Sequence, residues 1–159
     1  MQEYLQLDLL TLEQISAQAG RPIEPHVYLR TVEEAKARGH MFECRCNGRL
    51  LGYCTVKPLD PGYWFVLMFN THPQHRSRRV FASLMAQLKK FLQQHQAHTL
   101  VSHVFKINHL SVAFHHKMGF KITRGNEHGY EFTLKLDDRV RYHRLEQRID
   151  SGYSRSHND

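Results

Sequence analysis

The stretch that decides the fold is THPQHRSRRVFASLM, residues 71–85, because two hydrophobic periods meet in it. The segment just before it, residues 63–69 (YWFVLMF), is a continuous apolar run, which is typical of a strand buried on both faces. From Val80 to about Gln94 the apolar residues keep to one face of a helix. Pro73 lies between the two periods, so the sequence predicts a strand, a short turn and a long core-packing helix.

The N-terminal third is interpreted with the same two periods. Residues 3–9 (EYLQLDL) alternate between apolar and polar, which predicts a first strand. Thr11 and Gln14 have the spacing of a capping box, which predicts a short helix over residues 11–19. A second helix is expected to begin at Thr31 and to end at Gly39.

A hairpin is predicted over residues 40–56, because Asn47-Gly48 is a strong two-residue turn signal. The chain has three cysteines, all of them in this hairpin: Cys44, Cys46 and Cys54. An odd and clustered set does not form a disulfide framework, so buried reduced thiols are expected. If the turn pairs Cys46 with Arg49, alternation places Cys44 and Cys46 on one face of the sheet and Cys54 on the other.

The C-terminal half continues the alternation of strand and helix. Residues 99–105 (TLVSHVF) predict a strand, residues 108–118 a short helix closed by Gly119, and residues 120–136 a final hairpin. The predicted order is β, α, α, β, β, β, α, β, α, β, β, which is an α/β (α+β) domain. We therefore expect one domain over residues 1–136.

A polar and basic tail, residues 137–159, follows the domain. Tyr142, Leu145 and Ile149 keep helical spacing, so the tail could form a short amphipathic helix, or it could be a solvated chain end. Such a tail is a candidate contact for protein partners.

Composition narrows the classes of function. Lysine and arginine number 22 against 15 acidic residues, a net charge of +7, which attracts phosphate-bearing ligands or acidic partners. Basic residues are scattered except at residues 76–79 and in the tail, which does not favour a nucleic-acid-binding domain. No apolar run approaches the ~20 residues of a membrane helix, and residues 1–20 do not resemble a signal peptide. We expect a soluble, cytoplasmic protein.

The chain has 13 histidines, which raises the question of a metal site. The tightest groupings are His72 with His75 and His115 with His116, and neither has the spacing of metal ligands. No metal is therefore predicted.

Two motifs resemble those of the GCN5-related N-acetyltransferase (GNAT) family. The first is residues 71–85, in which Arg76 takes the place of the family's Arg or Gln, while Arg79 and Phe81 stand where the family has small residues. The second is NHLSVAFHHKMGF, residues 108–120, in which His115 stands where the family has a tyrosine. The other matches are Leu84, Met85, Asn108, Lys117, Gly119 and Phe120.

The resemblance implies a fold and a cofactor. The fold is a GNAT-like mixed, mostly antiparallel sheet, with two central strands that splay apart to admit pantetheine and with about four flanking helices. The cofactor is acetyl-CoA, and the residues implied for it are Phe69, Thr71, Arg76, Ser77, Arg78, Arg79, Val80 and Asn108.

The turn at residues 76–81 leaves two interpretations open. A helix N-terminus suits a diphosphate, and charge-assisted bonds from Arg76, Arg78 and Arg79 could offset the lost glycines. Alternatively, Phe81 fills the space that the diphosphate would occupy, and the turn is simply packed core.

The resemblance also implies catalytic roles. His115 would protonate the departing thiolate, since an imidazolium is available near neutral pH. A base must deprotonate the amine, and Glu43, or His72 through a water, are the candidates. The acceptor would lie over the segment between the first two helices, which makes Glu24, His26 and Tyr28 candidate substrate contacts.

Two functions follow from these observations. One is an acyl-CoA-dependent N-acyltransferase that acetylates an unknown amine, either a small molecule or a protein. The alternative is a catalytically inactive GNAT-fold structural or assembly protein, such as a small phage virion component, whose tail contacts neighbouring chains.

Overall fold

The computed structural model describes residues 2–18, 20–75 and 77–136, and the predicted tail helix lies outside them. Eleven elements follow one another in this part of the chain: α1 (Gln2–Gln18), α2 (Pro25–Ala37), β1 (Met41–Cys46), β2 (Arg49–Asp60), β3 (Tyr63–Thr71), a 3₁₀ turn (Pro73–His75), α3 (Arg78–Gln94), β4 (Thr99–Phe105), α4 (His109–Met118), β5 (Lys121–Gly125) and β6 (Gly129–Lys135).

The described strands form one six-stranded sheet in the order β1-β2-β3-β4-β6-β5. The pairs β1–β2, β4–β6 and β5–β6 are antiparallel. The predicted class, a mostly antiparallel sheet flanked by about four α-helices, is confirmed. No described helix has both the length and the apolar character needed to cross a bilayer.

The first predicted element is wrong, because residues 3–9 belong to helix α1 and not to a strand. Tyr4, Leu7 and Asp8 are all buried, and their spacing of three and four residues places them on one helix face. The leucines at positions 5, 7 and 9 alternate with polar residues, as the apolar residues of a half-buried strand do. Thr11 lies inside the helix, where its Oγ1 donates to the carbonyl of Leu7 at 3.1 Å, so the predicted capping box is wrong as well.

Helix α2 begins at Pro25, six residues before the predicted start at Thr31. Proline at the first helical position costs little, because the N–H that it lacks would have no partner within the helix. Thr31 is an interior residue whose Oγ1 donates to the carbonyl of Val27 at 3.1 Å. The helix ends at Ala37, and Gly39 follows with a φ of 73°, as the sequence predicted.

The hairpin of β1 and β2 is confirmed, with Asn47 and Gly48 at positive φ. Cys46 pairs with Arg49 as expected, but a bulge follows, so that Cys44 pairs with Gly52. The extra residue reverses the alternation, and Cys44 therefore shares a face with Cys54. The prediction of opposite faces is wrong. Cys54 is buried, Cys44 is half-buried and Cys46 is exposed.

The elements from α3 to β6 lie where the sequence predicted them. The chain divides into two compact units, of which the first is Met1–Lys57 with Val66–Phe91 and the second is Pro58–Phe65 with the residues from Leu92 onward. The first unit has a core of Tyr4, Leu7, Val32, Leu50 and Tyr53. Buried residues of the second unit include Leu100, Val104, Met118 and Phe132.

Candidate functional site

In the first unit, the end of β3 is fixed by helix α1 and strand β2. The Nδ2 group of Asn70 donates to Asp8 Oδ1 at 2.7 Å and to Thr11 Oγ1 at 2.5 Å. Two residues later, the amide of His72 donates to the carbonyl of Leu51 at 2.7 Å. The turn that joins β3 to α3 therefore starts from a position set by hydrogen bonds to both neighbours.

Gly52 lets the start of α3 approach the sheet. A Cβ atom at this position would lie 2.9 Å from the Asn70 carbonyl oxygen and 3.2 Å from Val80 Cγ1. It would also lie 3.1 Å from Leu84 Cδ1. Because a backbone oxygen cannot rotate away, only glycine fits here without moving the helix or the strand.

Ser77 caps α3. Its carbonyl accepts a hydrogen bond from the Phe81 amide at 3.2 Å, and its Oγ accepts one from the Val80 amide at 3.3 Å. Arg78 and Arg79 follow in the first turn and are exposed. A capped helix start with two arginines carries a partial positive charge and full cationic charges together, which suits an anionic diphosphate. Arg76 lies outside the described residues.

Phe81 packs against β3. Its side chain is half-buried, and its ring centroid lies 5.5 Å from that of Phe69. The side chain of Val80 is also buried, whereas Thr71 is half-buried. The apolar residues predicted for cofactor binding thus have packing partners within this unit, and the polar groups of the turn are those of residues 77–79.

His72 lies next to the turn, in a basic environment. Its Nε2 is 3.4 Å from an Nη2 of Arg49, and its ring centroid is 5.0 Å from that of His75. Burial, together with the charges of Arg49 and His75, lowers the pKa of His72. The imidazole is therefore neutral near pH 7, which is the form that a base requires.

Glu43 on β1 is held by a network of its own. Tyr4 donates its hydroxyl proton to Oε1, and Arg45 Nε donates to Oε2 at 2.6 Å. Burial alone would raise the pKa of Glu43, but the hydrogen bonds from Arg45 and Tyr4 outweigh it and leave the pKa below its ordinary value. A paired carboxylate with a lowered pKa is a weak base.

The candidate substrate contacts do not share one environment. Glu24 and His26 are exposed at the start of α2. Tyr28 is half-buried, and its hydroxyl contacts the hydroxyl of Tyr53 and the carbonyl of Tyr4, the latter at 3.3 Å. Its polar end is therefore engaged inside the unit.

Asp8 is a candidate functional residue that the sequence prediction missed. Its side chain is completely buried, and it accepts hydrogen bonds from Tyr53 OH and Asn70 Nδ2. Burial raises its pKa to about 6, although the two hydrogen bonds act in the opposite direction. The available signal was its place four residues after Tyr4, on the apolar face of a helix.

In the second unit, α4 has a cap at each end. Asn108 Oδ1 accepts a hydrogen bond from the Ser111 amide at 3.3 Å. Gly119 closes the helix with a φ of 95°, a conformation that favours glycine. The side chain of Asn108, a candidate cofactor contact, thus has a structural role of its own.

His115 is enclosed between α4 and β4. Its Nδ1 lies 2.7 Å from the Ser111 carbonyl and its Nε2 lies 3.0 Å from Ser102 Oγ, while its ring stacks on Phe132. A carbonyl can only accept, so Nδ1 carries the proton, and in the neutral ring Nε2 accepts from Ser102. Burial lowers the pKa of His115. Ser102 was not predicted, and it is buried as well.

The second unit also contains an open pocket of about 720 Å³ around the turn between β2 and β3. Its lining includes Pro58, Trp64, His95 and His98, and none of the predicted site residues. Within the described residues, no group of three histidine, cysteine or acidic side chains could hold a metal ion.

The fold is that of an acetyltransferase family. The Acetyltransferase (GNAT) family matches residues 7–120, and the chain belongs to this family. No curated protein matches the chain significantly.

Solved structures share the fold at low identity. One is PaiA N-acetyltransferase from Thermoplasma acidophilum in complex with coenzyme A, with a TM-score of 0.68 and 13% identity over 85% of this chain and 92% of that one. Another is the ribosomal-protein-S18-alanine N-acetyltransferase of Escherichia coli, with a TM-score of 0.58 and 14% identity over 74% and 79%. A third is yncA from Salmonella typhimurium with its cofactor acetyl-CoA, with a TM-score of 0.57 and 19% identity over 74% and 77%.

Proposed function

We propose that this protein is an N-acyltransferase that transfers an acetyl group from acetyl-CoA to an amine. The observation that carries the proposal is the start of α3, where Ser77 caps a helix whose first turn exposes two arginines. Support comes from the family match and from relatives crystallised with coenzyme A or acetyl-CoA. The comparisons give no support to the alternative of a non-catalytic virion component.

The coenzyme's diphosphate would be held at residues 76–79. Arg78 and Arg79 would pair with its oxygens, and the Ser77 hydroxyl, which accepts from Val80, still has its own proton to donate. The β3 residues Phe69 and Thr71, in the same unit, would contact the rest of the coenzyme, and Asn108 stays a contact that the family resemblance predicts. Bound acetyl-CoA supplies an acyl group activated as a thioester.

The acceptor amine must lose a proton before it can attack. Of the two candidate bases we favour His72, because its lowered pKa keeps the imidazole neutral; to accept the proton, its Nδ1 would have to release the hydrogen bond that it accepts from the Gln74 amide at 3.1 Å. The carboxylate of Glu43 already accepts hydrogen bonds from Tyr4 and Arg45. The acceptor itself would be drawn by the exposed Glu24, whose carboxylate attracts an ammonium group, with His26 and Tyr28 nearby in sequence.

As an imidazolium, His115 would supply a proton to the departing thiolate. Because Nδ1 is bound to a carbonyl, the mobile proton is the one that the imidazolium carries on Nε2, and this atom faces Ser102. A proton leaving Nε2 would pass to Ser102 Oγ as the serine released its own proton outward. Ser102 would then be the group that meets the leaving sulfur.

Calorimetric titration with coenzyme A tests the proposal without knowledge of the acceptor. We expect binding in the micromolar range and a rise in melting temperature at saturation. Arg79→Glu should weaken binding by about ten-fold or more, because one charge-assisted contact becomes a repulsion. Lys90→Glu, the same change of charge at the other end of α3, is the matched control and should bind like the wild type. Absence of heat and of a melting shift in the wild type would refute the proposal.

A further inference from the structure

Asp8 is a fully buried carboxylate for which the proposed chemistry has no use. It lies on α1 and accepts hydrogen bonds from β2, through the Tyr53 hydroxyl, and from β3, through Asn70 Nδ2. Burial of a carboxylate is costly unless its oxygens are satisfied. Asp8 is far along the chain from Tyr53 and Asn70, and packing alone does not explain why a carboxylate is buried here.

The reason lies in what Asn70 does. The Asn70 side chain donates hydrogen bonds to Asp8 and to Thr11. Its carbonyl oxygen lies so close to position 52 that a Cβ atom there would collide with it. Asn70 is the second-last residue of β3 and precedes the turn to α3. The side chain and the backbone of one residue thus tie α1 and β2 to the point at which the proposed coenzyme turn begins.

Above its pKa, the carboxylate of Asp8 accepts hydrogen bonds from both of its neighbours at once. Both neighbours donate: Tyr53 offers O–H to one oxygen and Asn70 offers N–H to the other. An asparagine at position 8 would accept from only one of them, and its NH₂ group would require Tyr53 to reverse its hydroxyl or Asn70 to turn its amide. Shape alone therefore does not explain the residue, since aspartate and asparagine have nearly the same volume.

We propose that Asp8 is a positioning residue for coenzyme A, acting through Asn70 to fix the end of β3 and with it residues 72–75 and 77–79. The inference rests on the proposed function, because it assigns coenzyme binding to that turn. Asp8 itself does not touch the coenzyme. What it supplies is the position of the strand end from which the Ser77-capped helix starts.

Exchange of the two residues tests this proposal. Asp8→Asn should raise the Kd for coenzyme A by roughly ten-fold, since one of the two hydrogen bonds to position 8 is then lost or rearranged. The double variant Asp8→Asn with Asn70→Asp restores one acceptor for each donor, because the carboxylate introduced at position 70 can accept from the amide introduced at position 8 and from Thr11, whose hydroxyl proton would turn away from the Leu7 carbonyl. We expect the double variant to recover coenzyme affinity to within about three-fold of the wild type.

Val32→Ala is the matched control for a loss of stability alone. Val32 is a buried core residue of the same unit, on α2, and belongs to neither β3 nor the turn. Its truncation should lower the melting temperature and leave the Kd for coenzyme A unchanged. Circular dichroism spectra and melting curves of every variant show whether each one folds.

The possible outcomes are distinct. Binding by the wild type, loss in Asp8→Asn and recovery in the exchanged pair would support the positioning role. Wild-type affinity in Asp8→Asn, or failure of the folded exchanged pair to recover, would overturn it while the proposed function stands. Absence of binding by the wild type would overturn the proposed function and this inference together.

Discussion

His115 differs from the tyrosine of the family in how it can release a proton. A tyrosine is a donor in its neutral form, whereas the Nε2 atom of neutral His115 has no proton and accepts from Ser102. Release from this atom requires the imidazolium, and burial makes that form less stable. If His115 is the acid, turnover should therefore be favoured on the acidic side of neutrality.

The contact between Ser102 and His115 yields a prediction about stability. Ser102→Ala leaves the Nε2 atom of the half-buried His115 without its donor, so the free energy of unfolding should fall by about 1 kcal/mol. Ser111→Ala is the control, because it removes only the long 3.4 Å contact of Ser111 Oγ with Nδ1, and the Ser111 carbonyl that holds Nδ1 remains. Urea denaturation at pH 8, where the ring is neutral, measures both variants. Equal stabilities would contradict the contact.

Asp8 predicts how stability depends on pH. Its pKa is about 6 in the folded chain against about 3.9 in an unfolded one, so the folded state binds the proton more tightly. The resulting stabilisation is complete below pH ~4 and is lost as the pH rises through 6, by roughly 3 kcal/mol in total. Asp8→Asn lacks this contribution.

The measurement is the difference in unfolding free energy between wild type and Asp8→Asn at several pH values from 4 to 7. Because other titrating groups are common to both proteins, they cancel in this difference. We expect the advantage of the wild type to decrease steadily over that range. A difference independent of pH would mean that Asp8 titrates normally in the folded chain.

At the scale of elements, the strands and helices from β1 to β6 were predictable because local signals mark their ends. Asn47-Gly48 marks one turn, Pro73 another, and Gly119 ends a helix. Helix α1 was missed because the leucines at positions 5, 7 and 9 alternate, and a helix and a short strand cannot be distinguished by a few apolar residues. The segment forms a helix because the helix buries Tyr4, Leu7 and Asp8 together on one face.

The site was predictable only where it is local in the chain. Residues 77–79 and Asn108 belong to contiguous motifs, and their positions at the starts of α3 and α4 follow from short-range rules. Asp8 and its partner Asn70 are 62 positions apart, and Ser102 is 13 positions from His115. Contacts of that kind depend on strand order and register, which no single-sequence period encodes.

The packing of α3 on β2 is tested at Gly52. Gly52→Ala places a methyl group 2.9 Å from a backbone oxygen, and we expect a loss of about 1–3 kcal/mol of stability from overpacking. Gly125→Ala is the control, because a Cβ there meets only ordinary contacts of 3.5 Å or more. Thermal denaturation compares the two. A Gly52→Ala protein as stable as the control would show that α3 does not lie so close.

At the scale of the whole molecule, the net charge of +7 bears on the proposed coenzyme. Coenzyme A is strongly anionic, and a basic protein attracts it over distances that salt shortens from roughly 14 Å at 50 mM to about 4 Å at 500 mM. We therefore expect the Kd for coenzyme A to rise by about ten-fold over this range.

Calorimetry at the two salt concentrations tests this expectation, with Arg79→Glu as the comparison. The variant has two fewer positive charges in net terms, both lost at the helix start, so its Kd should depend less on salt. A wild-type Kd that is the same at both concentrations would indicate that coenzyme binding does not depend on the arginines.

The two caps of α4 have a consequence for how chains of this kind are classified. Asn108 starts the helix and Gly119 ends it. Both residues also belong to residues 108–120, the motif that resembles that of the family. A descendant that had lost all turnover would still need them in order to fold. Their presence therefore testifies to ancestry and fold, and the roles proposed for residues 77–79 and His115 are those that bear on turnover.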